Sequence, residues 1–244
     1  MNRLLHLEQF EKVLKNYDTS ETGKKLLDDV NLVLLVAPTS SGRNTIIREL
    51  SKTGNYHYIV SDTTRRPRTN DSVPEQNGVE YWFRSEDEVL ADLESGKFLE
   101  AAIIHKQQVS GISLRELETA NKQQQIAVTD IEIAGVKNIM RAKPDTVAIF
   151  VVPPSFAEWQ RRIKGRGHMS KIEYKRRLQS AMEEFRHAMD QPYYHFVVND
   201  NLADAVAEID RLVKNVGMHM SDNSRGREVV EAIYEDTLAH LSNM

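Results

Sequence analysis

Cysteine is missing from all 244 residues of this chain, which rules out a disulfide framework and any thiolate metal site and suits a reducing cytosol. A long apolar run is also missing near the start. Leu4, Leu5, Leu7, Phe10, Val13 and Leu14 are interrupted by His6, Glu8, Glu11 and Lys12, a spacing that fits neither a secretory signal nor a membrane span. Charge of one sign is scarce: a formal net charge of −4 gives no general pull towards nucleic acid or acidic membranes. No nucleic acid and no membrane are therefore expected as partners, and a soluble, cytoplasmic protein is the expectation. What is present, 40% hydrophobic residues over 244 positions, suffices for one sizeable core with appendages rather than two full domains.

Strands are predicted at 32–36, 56–61, 79–84, 98–104, 126–131, 146–152 and 195–199, all rich in Val, Ile, Tyr and Phe. Helical patterns at 44–52, 86–94, 113–122, 133–141, 155–164, 171–189 and 202–215 lie between most of them. This alternation predicts an α/β fold, a parallel sheet covered by helices, with ligands at the carboxyl ends of the strands. Residues 62–110 break the pattern with short, closely spaced strands and read as an inserted, mostly antiparallel subdomain.

The ends differ from this middle. Residues 3–16 have the spacing of an amphipathic helix, and a second helix is expected from about Ser20, with Glu21 close to its positive end. At the other end, Gly217–Gly226 reads as a linker before a helix with Val229, Val230, Ile233, Tyr234, Leu238 and Leu241 along one side. The expected organisation is a helical extension over 1–30, a central domain over 31–215, and a linker with a C-terminal helix over 216–244. The terminal helices are expected to pad the domain surface; the sharper alternative is a homodimer or partner contact through them.

The first predicted strand, Leu32–Val36, runs into Ala37-Pro38-Thr39-Ser40-Ser41-Gly42-Arg43-Asn44-Thr45. A buried strand, a turn of small residues and a following helix together aim backbone N–H groups and a positive helix end at one point, the arrangement that cradles phosphate. Against the pattern G-x-x-x-x-G-K-[ST], Gly42 keeps the last glycine, Ala37 replaces the first, Arg43 stands for the lysine and Asn44 for the hydroxyl residue. Arg43 keeps a permanent charge but prefers fork-like contacts. Asn44 offers a neutral carbonyl oxygen, a legitimate magnesium ligand. Taken alone, this loop is equally an ordinary strand-turn-helix.

Further motifs follow in order: Ser61-Asp62-Thr63-Thr64-Arg65-Arg66-Pro67-Arg68, Gly78-Val79-Glu80-Tyr81-Trp82-Phe83, and Gly96-Lys97-Phe98-Leu99-Glu100. Asp130-Ile131-Glu132-Ile133-Ala134-Gly135-Val136, Val152-Pro153-Pro154-Ser155, Arg162-Ile163-Lys164-Gly165-Arg166-Gly167, Arg177-Leu178 and Val197-Val198-Asn199-Asp200 complete the series. In order, spacing and residue type, this set over about residues 31–215 resembles the guanylate kinase family.

The resemblance implies a P-loop kinase core, a GMP-binding insertion at 62–110 and a helical lid at 162–177. It implies ATP-dependent, magnesium-assisted phosphorylation of GMP to GDP, with GMP and ATP as partners and ATP and Mg²⁺ as cofactors. Glu100 and Glu132 would face the guanine edge, where N1–H and the 2-amino group are adjacent donors matched to a carboxylate, while Ser61 serves O6. The family usually has aspartate at the position of Glu132. Arg65, Arg68 and Tyr81 would hold the monophosphate dianion. A Tyr-Gly pair is expected after His105; Ser110 stands at the tyrosine position, so weaker monophosphate binding is expected. Arg162, Arg166 and Arg177 would close over the transferring group, a type of contact worth roughly 10³ to 10⁵ in rate. Ala37 to Thr45 would cradle ATP, Arg43 would neutralise its phosphates, Asn44 would help hold the metal, and Asn199 would lie near the adenine. A catalytically inactive binding domain of the same family and a kinase acting on a phosphorylated sugar are the alternative readings.

Overall fold

The structure, a computed structural model, describes residues 4–70, 73–165, 167, 169–214 and 223–244. In chain order, α1 (Leu7–Leu14) and α2 (Glu21–Asp29) precede β1 (Leu32–Val36), α3 (Arg43–Lys52) and β2 (Tyr56–Tyr58). Short strands β3 (Asp62–Thr63), β4 (Thr69–Asn70), β5 (Val73–Pro74) and β6 (Trp82–Phe83) follow. Next come α4 (Glu86–Glu94), β7 (Phe98–Ile104), β8 (Gln108–Ser113), α5 (Leu114–Lys122), β9 (Ile126–Asp130) and α6 (Ile133–Ala142). The remainder is β10 (Val147–Val152), α7 (Phe156–Lys164), α8 (Lys171–Asp190), β11 (Tyr194–Val198), α9 (Leu202–Lys214) and α10 (Ser224–Ser242). The chain forms two compact units.

One unit comprises Val33–Gly54, Asp130–Val136 and Asp145–Met244. Here β10 pairs in parallel with β1 (Val33↔Val147 to Val36↔Phe150) and with β11 (Ala148↔Tyr194 to Val152↔Val198). Every residue of β1 and β10 is buried, which explains their unbroken apolar sequences: a parallel sheet covered on both faces leaves no polar side. α3 buries Ile46, Ile47 and Leu50, and α8 buries Leu178, Ala181, Phe185 and Ala188. Phe150 is the hub of the core, with the rings of Phe185, Tyr194 and Phe196 all edge-on within about 6 Å.

The C-terminal helix belongs to this core. α10 buries Val230, Ile233 and Thr237, and Asn223 just before it bonds the backbone of β11, accepting from Phe196 N at 3.0 Å and donating to Tyr194 O at 2.8 Å. Gly226, expected at the end of a linker, is instead a helical residue; a Cβ there would lie 2.4 Å from Phe196 Cβ. Glycine is what lets the helix approach β11 so closely. Residues 217–222 of the expected linker lie outside the described residues.

The other unit comprises Met1–Leu32, Asn55–Thr129 and Lys137–Pro144. It contains the parallel pair β2–β9 and a four-stranded sheet in the order β6-β3-β8-β7. β8 pairs antiparallel with both neighbours, whereas β3 and β6 run parallel, so the subdomain is mixed where a mostly antiparallel one was expected. The predicted strand at 79–84 is reduced to Trp82–Phe83 and an isolated bridge from Tyr81 to Asn77, and β8 was not predicted at all. α1 packs Leu7 and Phe10 against Val89, Leu93, Phe98 and Val109; fully burying a side chain of the Phe10 kind contributes about 2 kcal/mol. Ser20 caps α2 by accepting from Gly23 N, and buried Lys143 closes its other end, donating to the carbonyls of Leu27, Asp28 and Val30. Among the described residues no helix is long and apolar enough to cross a membrane.

Candidate functional site

Within the first unit, the loop after β1 is held open at the start of α3. Ser40 and Gly42 both adopt left-handed backbone (φ 66° and 93°), so the chain turns sharply and Gly42 begins α3 with no side-chain cap. The uncapped first turn leaves N–H groups facing the loop, favourable for anions. Two long-range donors fix the loop: Trp159 Nε1 to Thr39 O at 2.7 Å and Asn199 Nδ2 to Ser41 O at 2.8 Å. A Cβ on Gly42 would fall 2.2 Å from Asn199 Nδ2, so this glycine is required twice, by its φ and by its neighbour. Asn199 thus supports the loop backbone directly. The hydroxyls of Ser40 and Ser41 are buried with no partner among the described residues, an arrangement suited to donating to phosphate oxygens.

Arg43 leaves α3 towards the end of β9, where its Nη2 donates to Asp130 Oδ2 at 2.8 Å; Ile131 N, donating to Leu35 O, ties that end to β1. Ala37 to Asn44 line a cavity of about 250 Å³ together with Glu132 and Glu184. Glu184 is pushed up to about 8 by burial first and by the neighbouring Glu132 charge second, with Arg43 pulling the other way. Sequence reading passed over Glu184. The signal was its place on α8 beside the buried stripe of Ala181, Phe185 and Ala188, where a carboxyl is unusual.

The donor set fits a magnesium ion delivered with nucleotide rather than one held beforehand. Asn44 is exposed on the first turn of α3, and its carbonyl with the carboxylates of Glu132 and Glu184 supplies the few oxygens a hydrated Mg²⁺ takes from protein. Among the described residues no cluster of three or more His, Cys, Asp or Glu is arranged for a metal.

The second unit holds the predicted residues Ser61, Arg65, Arg68, Tyr81, Glu100 and Ser110. Arg65 makes a two-pronged pair with Glu75 (2.6 and 2.9 Å) and lies over the Tyr81 ring at 4.7 Å. Glu75 also accepts from Arg68 N at 2.8 Å, so one carboxylate fixes both arginine positions, and the Arg65 hydrogen bonds hold it below the ordinary carboxylate range. Glu75 was missed in the sequence; an acidic residue between two loop arginines and a tyrosine was the available signal. Ser110 lies on β8, donating to Thr63 Oγ1 at 2.8 Å. Ser61 accepts through its carbonyl from Trp82 N and is flanked by a buried network. Glu116 accepts from Val60 N and Trp82 Nε1, and Asp62 from Arg84 and Arg115. Glu100, on β7, opens into a cavity of about 320 Å³. Burial pushes its carboxyl up to about 7, opposed by the Ile112 backbone N–H.

The described arginines of the expected lid are each held one turn back on their own helix. Arg162 Nε donates to Glu158 at 2.8 Å and Arg177 Nε to Glu173 at 2.9 Å. Glu158 is brought down to about 2 by hydrogen bonds from Arg161 and Arg162. Arg166 lies outside the described residues.

The family model described as guanylate kinase matches residues 29–216. A guanylate kinase of Clostridioides difficile (strain 630) is 34% identical over 185 residues, covering 75% of this chain and 87% of that protein. Another, from Symbiobacterium thermophilum, is 32% identical over 209 residues, 84% of this chain and 93% of the relative. The crystal structure of guanylate kinase from Anaplasma phagocytophilum superposes with a TM-score of 0.58 at 23% identity, over 83% of this chain and 94% of that one, a likeness of fold. Motif order, loop geometry and these similarities lead to one conclusion: the chain belongs to the guanylate kinase family.

Proposed function

We propose that the protein transfers the γ-phosphoryl group of ATP to the phosphate of GMP, giving ADP and GDP. A GMP phosphate oxygen forms the new bond to the γ-phosphorus as the bond from that phosphorus to the β–γ bridging oxygen breaks, leaving ADP with the electron pair. The acceptor is already an anion, so no general base is required. Catalysis is then positioning and charge neutralisation, and the residues described above are of the types this needs.

The observation that carries the reading is the loop at the start of α3. Its uncapped N–H groups, the unpartnered hydroxyls of Ser40 and Ser41 and the Arg43 guanidinium converge on one polar cavity. Triphosphate oxygens would take up these donors, with Arg43 spanning from Asp130 to the phosphates. Bound Mg²⁺ would supply charge neutralisation of the transferring group; Asn44, Glu132 and Glu184 are the residues we assign to its water shell. Arg65, Arg68 and Tyr81 would take the GMP phosphate, and Glu100 the N1–H and 2-amino donors of guanine, with Ser61 completing the base site. Residues 162–177 are read as a lid, in which Arg162 and Arg177 would exchange their carboxylate partners for phosphate and Arg166 would join them. A cytosolic setting agrees with the cysteine-free sequence.

The Arg43–Asp130 ion pair also favours a second reading, a domain that binds nucleotide without turning it over, because a guanidinium committed to a carboxylate is less available to phosphate. A coupled assay with ATP, Mg²⁺ and each nucleoside monophosphate, alongside calorimetry with GMP, separates the two. Turnover of GMP above the other monophosphates is expected. GMP binding without turnover selects the binding domain, and neither binding nor turnover rejects both.

A further inference from the structure

The family match begins at residue 29, yet the cavity into which Glu100 opens is walled in part by residues that precede it: Tyr17, Asp18, Thr19 and Lys24. β7 is the outer strand of its four-stranded sheet, and an outer strand presents a row of backbone groups that no neighbouring strand satisfies. The segment Tyr17–Ser20 meets that row with side chains. Tyr17 Oη donates to Phe98 O at 2.8 Å and accepts from Phe98 N at 3.1 Å. Thr19 Oγ1 donates to Leu99 O at 2.8 Å, and Ser20 Oγ to Gly96 O at 2.8 Å.

These contacts sit at the one place where β7 departs from regular pairing. Its register against β8 shifts between Phe98 and Glu100, so that Phe98 faces Ser113, Glu100 faces Ile112, and Leu99 has no opposite residue. Such a bulge re-aims the side chain beside it, and here that side chain is Glu100. A slip of one residue would send the carboxyl to the other face of the sheet. The Tyr17 phenol grips both backbone groups of the residue before the bulge, and the Thr19 hydroxyl holds the carbonyl of the extra residue.

We propose that Tyr17 and Thr19 are positioning residues for Glu100, and that the segment before the family domain thereby sets selectivity for guanine over purines lacking the 2-amino group. The inference rests on the assignment of Glu100 as guanine acceptor made above. A carboxylate placed for both N1–H and the 2-amino group gains two charge-assisted bonds from guanine and one from hypoxanthine. A carboxylate that wanders loses most of the difference.

The test uses the full chain with Tyr17→Phe, Thr19→Val and the double substitution, in steady-state kinetics with GMP and with IMP at saturating ATP. In the double variant KM for GMP should rise about 5- to 10-fold, the effect of one lost hydrogen bond. kcat and KM for ATP should stay within about twofold, the preference for GMP over IMP should fall with the rise in KM, and Thr19→Ser should retain wild-type values. Unchanged KM and preference overturn the proposal. So does a uniform fall in kcat with the preference intact, which is the signature of a role in stability alone. Glu100→Gln runs alongside. If it abolishes the preference while the hydroxyl variants keep it, the positioning role fails by itself; if it leaves KM for GMP unchanged, the assignment of Glu100 fails and this inference with it. Should the double variant not fold, the near-isosteric Thr19→Val decides through the same ratio.

Discussion

GMP affinity should depend on pH through Glu100. Burial pushes its carboxyl up to about 7 in the free protein, with the Ile112 N–H as the opposing influence. Guanine offers two donors, so the ionised, acceptor-only carboxylate is the binding form, and apparent affinity scales with the fraction present in that form. About a tenth of Glu100 is ionised at pH 6 and about nine-tenths at pH 8, which makes GMP binding through this group roughly tenfold weaker at the lower pH. The phosphate of GMP titrates near pH 6 as well, so wild type is compared with Glu100→Gln, in which only the phosphate contributes. Calorimetry from pH 6 to 8 should show the ratio of dissociation constants across that range to be about tenfold larger in wild type than in the variant. Buffers of different ionisation heat should record about half a proton more released per GMP at pH 7. Parallel pH slopes for the two proteins would refute the reasoning.

For folding, the sign is opposite. The folded Glu100 binds its proton more tightly than the unfolded chain, so its contribution is present below about 4.5 and is lost as pH rises through about 7, a change of about 3 kcal/mol. Glu100→Gln should therefore melt several degrees above wild type at pH 8, with the gap closing by pH 5. Arg43→Ala should lower kcat by about 10²-fold while leaving GMP binding within a few-fold, and Arg43→Lys should recover part of the loss; the coupled assay reads both. Gly226→Ala forces a Cβ to within 2.4 Å of Phe196 Cβ, and thermal melting should show a loss of about 1–3 kcal/mol with KM for either nucleotide unchanged. Lys143→Met strips three buried carbonyls of their shared donor, and a loss of about 2 kcal/mol, roughly 4–8 °C in Tm, is expected.

The sequence by itself determined whatever depends on neighbours along the chain. β1 and β10 were legible because strands covered on both faces need unbroken apolar runs, and α3 to α9 because their buried faces repeat at the helical period. The strand-turn-helix from Leu32 through Thr45 was legible from its residue pattern, and Arg65, Tyr81 and Glu100 were read from the resemblance to the family. Tertiary structure alone decided which groups meet. β8 escaped because Gln108-Val109-Ser110-Gly111 reads as a polar turn; Gly111 is needed because a Cβ there would lie 2.4 Å from Glu100 O and 2.6 Å from Ala101 Cβ. Nothing local announced that Arg43 would pair with Asp130, Arg65 with Glu75, or Tyr17 and Thr19 with the bulge beside Glu100. Nor did it announce that Glu184 would stand half-buried beside the phosphate loop, because these partners are far apart in sequence and are joined only by the pairing of strands and the packing of helices. The same burial that joins them sets the charge states of Glu100 and Glu184, since desolvation belongs to the folded site and not to the residue type.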